Sequence, residues 1–295
     1  MQQDLDHLKK KAVLYATLEN PGKYDRRGSL FSVHDPLIST IPWLKAHDTS
    51  YCKYHSPFQK HTTVLSNLGL NLLPPCNAHA PCAHHLNHLG LIEKASPRDK
   101  NSMPEMLIHR ILHSFIETAA LSNATAFYVL DFFSGWGSFK AAIKTFGQSN
   151  AYKEMSDNII NSKRTRFTRL DFILRSNSIV TCTEFDCTRY RIGTKQCLKR
   201  GRWEDSAVLT DPQHVTDYTT TPFQIETIVC DLIRNEDLPQ GEKIAILIHA
   251  SPPCKTYSKS GLHYHRPAHG ALSPLASQHD SLVTDVLNEL ERLLA

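Results

Sequence analysis

An α/β fold is what the sequence predicts, and three observations predict it. Apolar runs of strand length alternate along the chain with segments of helical periodicity. Residues 126–146 read as strand, glycine turn and helix in direct succession, the building unit of a parallel sheet. The 295 residues are 41% hydrophobic and 21% charged, with 12 Gly and 16 Pro, which supplies one large domain, or one domain with a small appendage, with a full core. Collagen-like, fibrous and wholly disordered chains are excluded.

Asp4 to Lys11 reads as a short helix leading into Ala12-Val13-Leu14-Tyr15-Ala16-Thr17-Leu18, a buried strand that Pro21-Gly22 terminates. From Pro36 to Pro104 the chain accumulates Pro, His, Cys and Asn around one β-like stretch, Thr62 to Leu68, so a small irregular subdomain is expected there. Met106, Leu107, Ile111, Leu112, Phe115 and Ile116 recur at helical spacing over Glu105 to Thr118. Pro104 suits the first turn of that helix, where a missing N–H is no loss. Ala126 to Leu130 is the second buried strand, and a helix runs on to Phe146. Ile179 to Thr183, Glu226 to Cys230 and Ile244 to His249 are apolar enough for further strands, and Leu282 to Leu294 for a closing helix.

No run of eighteen apolar residues occurs, and the first residues lack the basic-then-apolar pattern of a signal peptide, so a soluble, intracellular chain without a membrane partner is expected. Eight cysteines without a secretion signal argue for reduced thiols, free to be ligands or nucleophiles. The net charge of +4 is mildly basic and compatible with a polyanionic partner. Between Lys163 and Arg202 basic residues cluster (Arg164, Arg166, Arg169, Arg175, Arg189, Arg191, Lys195, Lys199, Arg200), either a phosphate-contacting face or a solvated surface.

Two features carry chemistry. In Asp131-Phe132-Phe133-Ser134-Gly135-Trp136-Gly137-Ser138-Phe139, Gly135 and Gly137 let backbone approach a ligand at the carboxyl end of a strand. The third glycine of a dinucleotide fingerprint is missing, which turns the reading from a pyrophosphate toward another nucleoside ligand. In Ser251-Pro252-Pro253-Cys254, two prolines stiffen a turn after an apolar strand and present a thiol above the sheet; a buried structural thiol is the alternative.

These residues resemble the DNA cytosine 5-methyltransferase family. Asp131 to Phe139 is similar to the family's methyl-donor loop, and Ser251 to Gly261 to its catalytic Pro-Cys loop. Glu19-Asn20-Pro21 resembles the Glu-Asn-Val or Glu-Asn-Pro motif that follows a strand. Asn101-Ser102-Met103-Pro104 resembles the late Gly-Asn-Ser-Val-Pro motif that leads into a helix. The order differs: the Glu motif and the Asn-Ser-Met-Pro helix precede the donor loop here, and the Cys loop comes near the end. That is a circular permutation, with Glu117 to Ala126 as the new link; it resembles the domains-rearranged arrangement in concept, with wording that looks closer to the compact enzymes of large viruses. The resemblance implies a Rossmann-like S-adenosylmethionine-dependent fold in which residues 1–35 complete the catalytic sheet, 36–100 form a small target-recognition subdomain, and 101–295 bind the methyl donor and carry catalysis.

The resemblance also implies roles. Phe133, Ser134, Gly135, Trp136 and Gly137 would cradle S-adenosylmethionine, with Pro253, Asn101 and Ser102 beside it. Glu184, at the end of a second strand, would hold the ribose, with Glu154 as a rival. Asp231, after the strand expected at Glu226 to Cys230, would accept from the adenine amino group. Cys254 would add to carbon 6 of cytosine, making an enamine that attacks the methyl group, while Glu19 stabilises protonation at the ring nitrogen. Lys60 is the one cation left of an Arg-x-Arg motif that reads Lys60-His61-Thr62 here. The base must be flipped out, with Tyr257 to Ser273 closing over it and His263, His265, Arg266 and His269 either meeting phosphates or idle in a loop.

Three positions depart from the family pattern: Lys255 replaces Gln after Pro-Cys, Lys60-His61-Thr62 has one cation for two, and Lys100 replaces Gly before Asn101. Only about forty residues separate Thr62 from Asn101, too few for extended sequence readout. In that interval Cys76, Cys82, His84, His85 and His88, with Cys52, offer soft ligands, yet five residues between the two near cysteines exceed ordinary zinc spacing. A plain polar loop is therefore preferred to zinc, and no metal residues are assigned. DNA is the expected partner, in the nucleus or wherever the genome lies. A non-catalytic nucleic-acid-binding relative, an RNA cytosine methyltransferase and, further off, a dinucleotide-dependent oxidoreductase are the alternatives.

Overall fold

The computed structural model describes residues 10–22, 29–83, 102–133, 137–161, 180–185, 225–252, 255–257, 264–267 and 271–294. Its strands are β1 (Ala12–Pro21), β2 (Lys45–Ser50), β3 (His61–Ser66), β4 (Ala124–Phe132), β5 (Val180–Phe185) and β6 (Lys243–Ala250). The helices are α1 (Leu30–Val33), α2 (Asp35–Ile38), α3 (Glu105–Leu121), α4 (Ser138–Phe146), α5 (Asn150–Asn161), α6 (Ile225–Asn235) and α7 (Pro274–Leu294). Short 3₁₀ turns follow β2 at Tyr51–Tyr54 and β6 at Lys255–Tyr257.

The strands form one mixed sheet in the order β2-β3-β1-β6-β4-β5. β1, β6, β4 and β5 are parallel, whereas β3 runs antiparallel to β1 and β2 antiparallel to β3. The sheet is buried on both faces, and β6 shows how. Ile244, Ile246, Ile248 and Ala250 enter one apolar core, while Ala245 and Leu247 enter the other, the period-two alternation of a strand. α6, α7 and the short α1 and α2 cover the first face; α3, α4 and α5 cover the second. From β4 the chain reaches β5 on one side, and β6 lies on the other, so the connections change direction between β4 and β6. Open α/β sheets bind ligands above the carboxyl ends of their strands at such a point.

Local chemistry explains the element ends. Ser273 caps α7 by accepting the Ala276 N–H at 3.1 Å, and Pro274 sits in the first turn, so this helix starts eight residues before the expected Leu282. α3 passes to β4 through only Ser122 and Asn123, the latter left-handed at φ 64°, inside the link expected at Glu117 to Ala126. Of the expected helix Asp4 to Lys11, only Lys10 and Lys11 lie among the described residues, and both are helical.

Two expectations need correcting. Glu226 to Cys230 is not a strand: Ile225, Ile228, Val229, Leu232 and Ile233 are buried at the i, i+3, i+4, i+7, i+8 spacing of α6, a helical stripe that a five-residue window hides. The section after Pro36 is less irregular than its composition suggests. Lys45 to Ser50 and His61 to Ser66 pair with each other, and β3 pairs with β1, so both extend the sheet. Lys45-Ala46-His47-Asp48 lacks an apolar run because β2 is an edge strand, exposed at its first two residues.

Candidate active site

Glu19, third from the end of β1, is 3% exposed. A buried carboxylate without partners would protonate. Here the Tyr51 hydroxyl donates to Oε1 at 2.8 Å, Thr62 Oγ1 donates to the same oxygen, and Ser251 Oγ donates to Oε2 at 2.7 Å. Burial pushes the Glu19 pKa up, but the Lys60 charge and these three hydroxyls outweigh it and hold the carboxyl below its ordinary value. Each carboxylate oxygen accepts about two hydrogen bonds, so among the described residues Oε1 is filled and Oε2 keeps one acceptor direction.

The donors arrive from separate elements. Tyr51 follows β2, and its backbone N–H donates to the Lys60 carbonyl at 2.8 Å, which closes the turn from 51 to 60. Lys60 lies over the Tyr51 ring, 4.4 Å from its centroid. Thr62, the second residue of β3, lies opposite Pro21, and Ser251 follows β6. Beside Glu19, Asn20 is 1% exposed; its Oδ1 accepts from the Leu30 N–H at 3.2 Å, and its Nδ2 has no partner among the described residues.

One row deeper, Thr17, His249 and Asp131 stand side by side on β1, β6 and β4. His249 is 2% exposed, with Nδ1 2.9 Å from Thr17 Oγ1 and its ring 4.2 Å from that of Phe139 on α4. Burial pushes its pKa down to about 4 against the opposing pull of Glu19, so the ring is neutral at pH 7.

β4 ends in a turn with left-handed backbone at both described flanks, Phe133 at φ 64° and Gly137 at φ 68°. Glycine adopts this conformation freely, whereas a buried phenylalanine does so only when its surroundings force it, a form of strain that collects at ligand sites. Gly137 caps α4 without a side-chain acceptor, which leaves the first N–H groups of the helix to another partner. Ser138 Oγ accepts from the Met103 N–H at 3.2 Å, bringing the Ser102-Met103-Pro104 segment against this turn. The Ser251 N–H donates to the Phe132 carbonyl at 3.4 Å, tying the end of β6 to the end of β4.

Of the residues expected from sequence, the structure thus gathers Glu19, Lys60, Phe133, Gly137 and Ser102 at one edge of the sheet. Glu184 is the next-to-last residue of β5, paired with Asp131, at the strand end expected for it. Its rival Glu154 lies exposed on α5 and lines a groove of about 530 Å³ with Glu105, His109 and Arg110, none of them a strand residue. Ser134, Gly135, Trp136, Asn101, Pro253 and Cys254 lie outside the described residues, as does the basic stretch from Lys163 to Arg202, apart from the backbone of β5.

Asp231 does not join the site. It is on α6, where it pairs with Arg234 at 2.9 Å. α6 packs against the sheet and then feeds β6 from its amino end, so the carboxyl end of this helix lies at the opposite edge. Arg266 is likewise taken: it forms a two-point pair with Asp280 on α7 and stacks 4.1 Å over the Tyr257 ring, so it is not free for phosphates. The fully buried Tyr257 donates to Asp280 at 2.6 Å, an internal strut rather than a moving cover. His265 Nδ1 lies 2.9 Å from Ser273 Oγ; His263 and His269 are outside the described residues.

Tyr51 and His249 belong to no motif, and Thr62 and Ser251 sit inside quoted motifs without a legible role. His249 and Ser251 carry only the signal of polarity at the carboxyl end of an apolar strand, and Tyr51 and Thr62 carry none. No family model, curated protein or solved structure matches the chain. Among the described residues no helix is long and apolar enough to cross a membrane.

Proposed function

We propose that the chain transfers a methyl group from S-adenosylmethionine to carbon 5 of cytosine in DNA, with the motif order of the cytosine 5-methyltransferases circularly permuted. One observation carries this. Four short segments, far apart in sequence and singled out there for their resemblance, meet at the carboxyl ends of the parallel strands of one mixed sheet. Glu19 bonds to Ser251, Ser251 to Phe132, and Ser138 to Met103.

The turn after β4 fits the donor in character. Left-handed backbone at Phe133 and Gly137, an uncapped α4 amino end and the adjoining Ser102 segment offer a cradle of N–H groups beside the change in direction of the connections. Phe133, Gly137 and Ser102 would hold the ligand, with Ser134, Gly135 and Trp136 between them in sequence and Glu184 on the ribose. When bound, S-adenosylmethionine supplies an electrophilic sulfonium methyl group.

The protein's own part falls to Cys254 and Glu19. Cytosine carbon 5 is a poor nucleophile, and addition of the Cys254 thiolate to carbon 6 overcomes this by pushing the ring π pair toward carbon 5 and the N3–C4 unit. N3 takes a proton from solvent to neutralise the charge, and an ionised Glu19, with an acceptor direction left on Oε2 among the described residues, accepts a hydrogen bond from that N3–H. Tyr51, Thr62 and Ser251 keep the carboxylate fixed, and Lys60 keeps it charged. Carbon 5 then takes the methyl group as the donor's S–CH3 bond breaks with its electron pair left on that sulfur. Carbon 5 loses its proton to a water base, the S–C6 bond breaks with its pair returning to Cys254 as thiolate, and N3 gives up the proton it gained.

Donor labelled in the methyl group, offered with DNA and with RNA, tests the proposal. Label recovered as 5-methylcytosine in DNA supports it; label in RNA alone reassigns the substrate; no transfer despite donor binding overturns it.

A further inference from the structure

The 3₁₀ turn after β2 and the loop after β3 bring three cysteines together. The sulfurs of Cys52, Cys76 and Cys82 all lie within 4.8 Å of one another, and the first two residues are buried at 3% and 1% exposure. Chain separations of 24 and 6 residues make this a tertiary feature rather than a local motif. The backbone is fixed around it. The Cys76 N–H donates to Ser50 Oγ at 2.9 Å, Gln59 Nε2 donates to the Cys76 carbonyl at 3.1 Å, and Lys53 Nζ donates to the Pro81 carbonyl at 2.9 Å. Asn77 Oδ1 accepts from the His79 and Ala80 N–H groups, turning the chain back between Cys76 and Cys82.

We propose that Cys52, Cys76 and Cys82 are three thiolate ligands of one structural zinc ion. Tetrahedral zinc with bonds of about 2.3 Å holds its sulfurs roughly 3.8 Å apart, so small side-chain rotations within the observed cluster suffice. Soft thiolates select zinc over magnesium or calcium. A disulfide would use two of the three sulfurs and leave a third thiol against it. The loop also needs a clamp: residues 67–83 hold no strand or helix, and a site of this kind converts binding energy into folding energy.

The site has a consequence beyond its own loop. Cys52 adjoins Tyr51, which donates to Glu19 and whose N–H holds the Lys60 carbonyl. The ion therefore ties the loop from 67 to 83 to the turn that presents both Tyr51 and Lys60, and makes it a positioning element for Glu19. The metal assignment is independent of the methyltransferase reading; only this consequence rests on it.

The whole chain, purified without chelator, should carry about one zinc per molecule by elemental analysis. Cys76→Ser and Cys82→Ser should lose most of it, and Cys230→Ser, on α6, should keep it. Because a cysteine variant can fail to fold, the unmodified protein gives a second measurement. Cobalt exchanged for zinc should show tetrahedral visible bands with thiolate-to-cobalt charge transfer, and an organomercurial should release the zinc as three thiols react. Absence of zinc together with no charge-transfer band, iron in its place, or a disulfide between two of these cysteines in the isolated protein would each overturn the proposal.

Discussion

The buried imidazole of His249 makes the stability of the protein depend on pH in a window set by the fold. Unfolded, a histidine titrates near 6.5; in the native chain, burial between Thr17 and Phe139 pushes His249 down to about 4. Between those values the unfolded chain binds a proton that the native chain does not, so stability rises with pH there. The contribution is fully present above the unfolded value and drains away as pH falls toward the folded one. At about 1.4 kcal/mol per pH unit, the whole interval amounts to about 3 kcal/mol. Other histidines add slopes of their own, so the comparison is with His249→Gln, which keeps an acceptor for Thr17 and does not titrate. Urea unfolding should show the wild type losing about 2 kcal/mol more than the variant between about pH 7.5 and about pH 5. Glu19 does not confuse this range: its lowered pKa contributes stability that is lost only below the ordinary carboxylate value. Equal slopes for the two proteins would show that His249 is not a buried neutral ring and would remove the row Thr17–His249–Asp131 from the site.

Binding of S-adenosylhomocysteine, followed by calorimetry, separates two residues that looked alike in sequence. Asp231→Ala should leave the affinity unchanged and stability within about 0.5 kcal/mol, because its carboxylate serves a surface pair on α6. Gly137→Ala puts a Cβ on left-handed backbone at the mouth of the cradle and should cost on the order of 1 kcal/mol of stability and weaken binding as well. Unchanged affinity in Gly137→Ala, or its loss in Asp231→Ala, would move the ligand elsewhere.

The legible part of the fold was what apolar patterning controls. β1, β4 and β6 are buried on both faces and read as continuous apolar runs, and α3 shows its stripe over four turns. The pattern fails where neighbours decide the outcome. β2 is a polar edge strand that exists because β3 offers a partner, and α6 shows its period only over a window longer than the apolar core that resembles a strand. The site divides in the same way. Glu19 and the turn at Phe133 to Gly137 follow directly from strand ends, whereas the hydroxyls around Glu19 and the cluster of Cys52, Cys76 and Cys82 come from residues tens of positions apart. No local spacing encodes them, and the gap of five residues between Cys76 and Cys82 argued against the cluster that the tertiary fold assembles.

The central claim is that Cys254 attacks a cytosine while Glu19 stabilises the ring, and a covalent trap tests it most directly. Release of the enzyme requires loss of the proton from carbon 5, so fluorine at that position should leave the protein bound to its target. DNA containing 5-fluorocytosine, incubated with the protein and S-adenosylmethionine, should give a denaturant-resistant adduct that maps to Cys254. The adduct should be absent in Cys254→Ala and should form more slowly, on the order of a hundredfold, in Glu19→Gln. An adduct that persists in Cys254→Ala, or none on any DNA while the donor binds normally, would contradict the account.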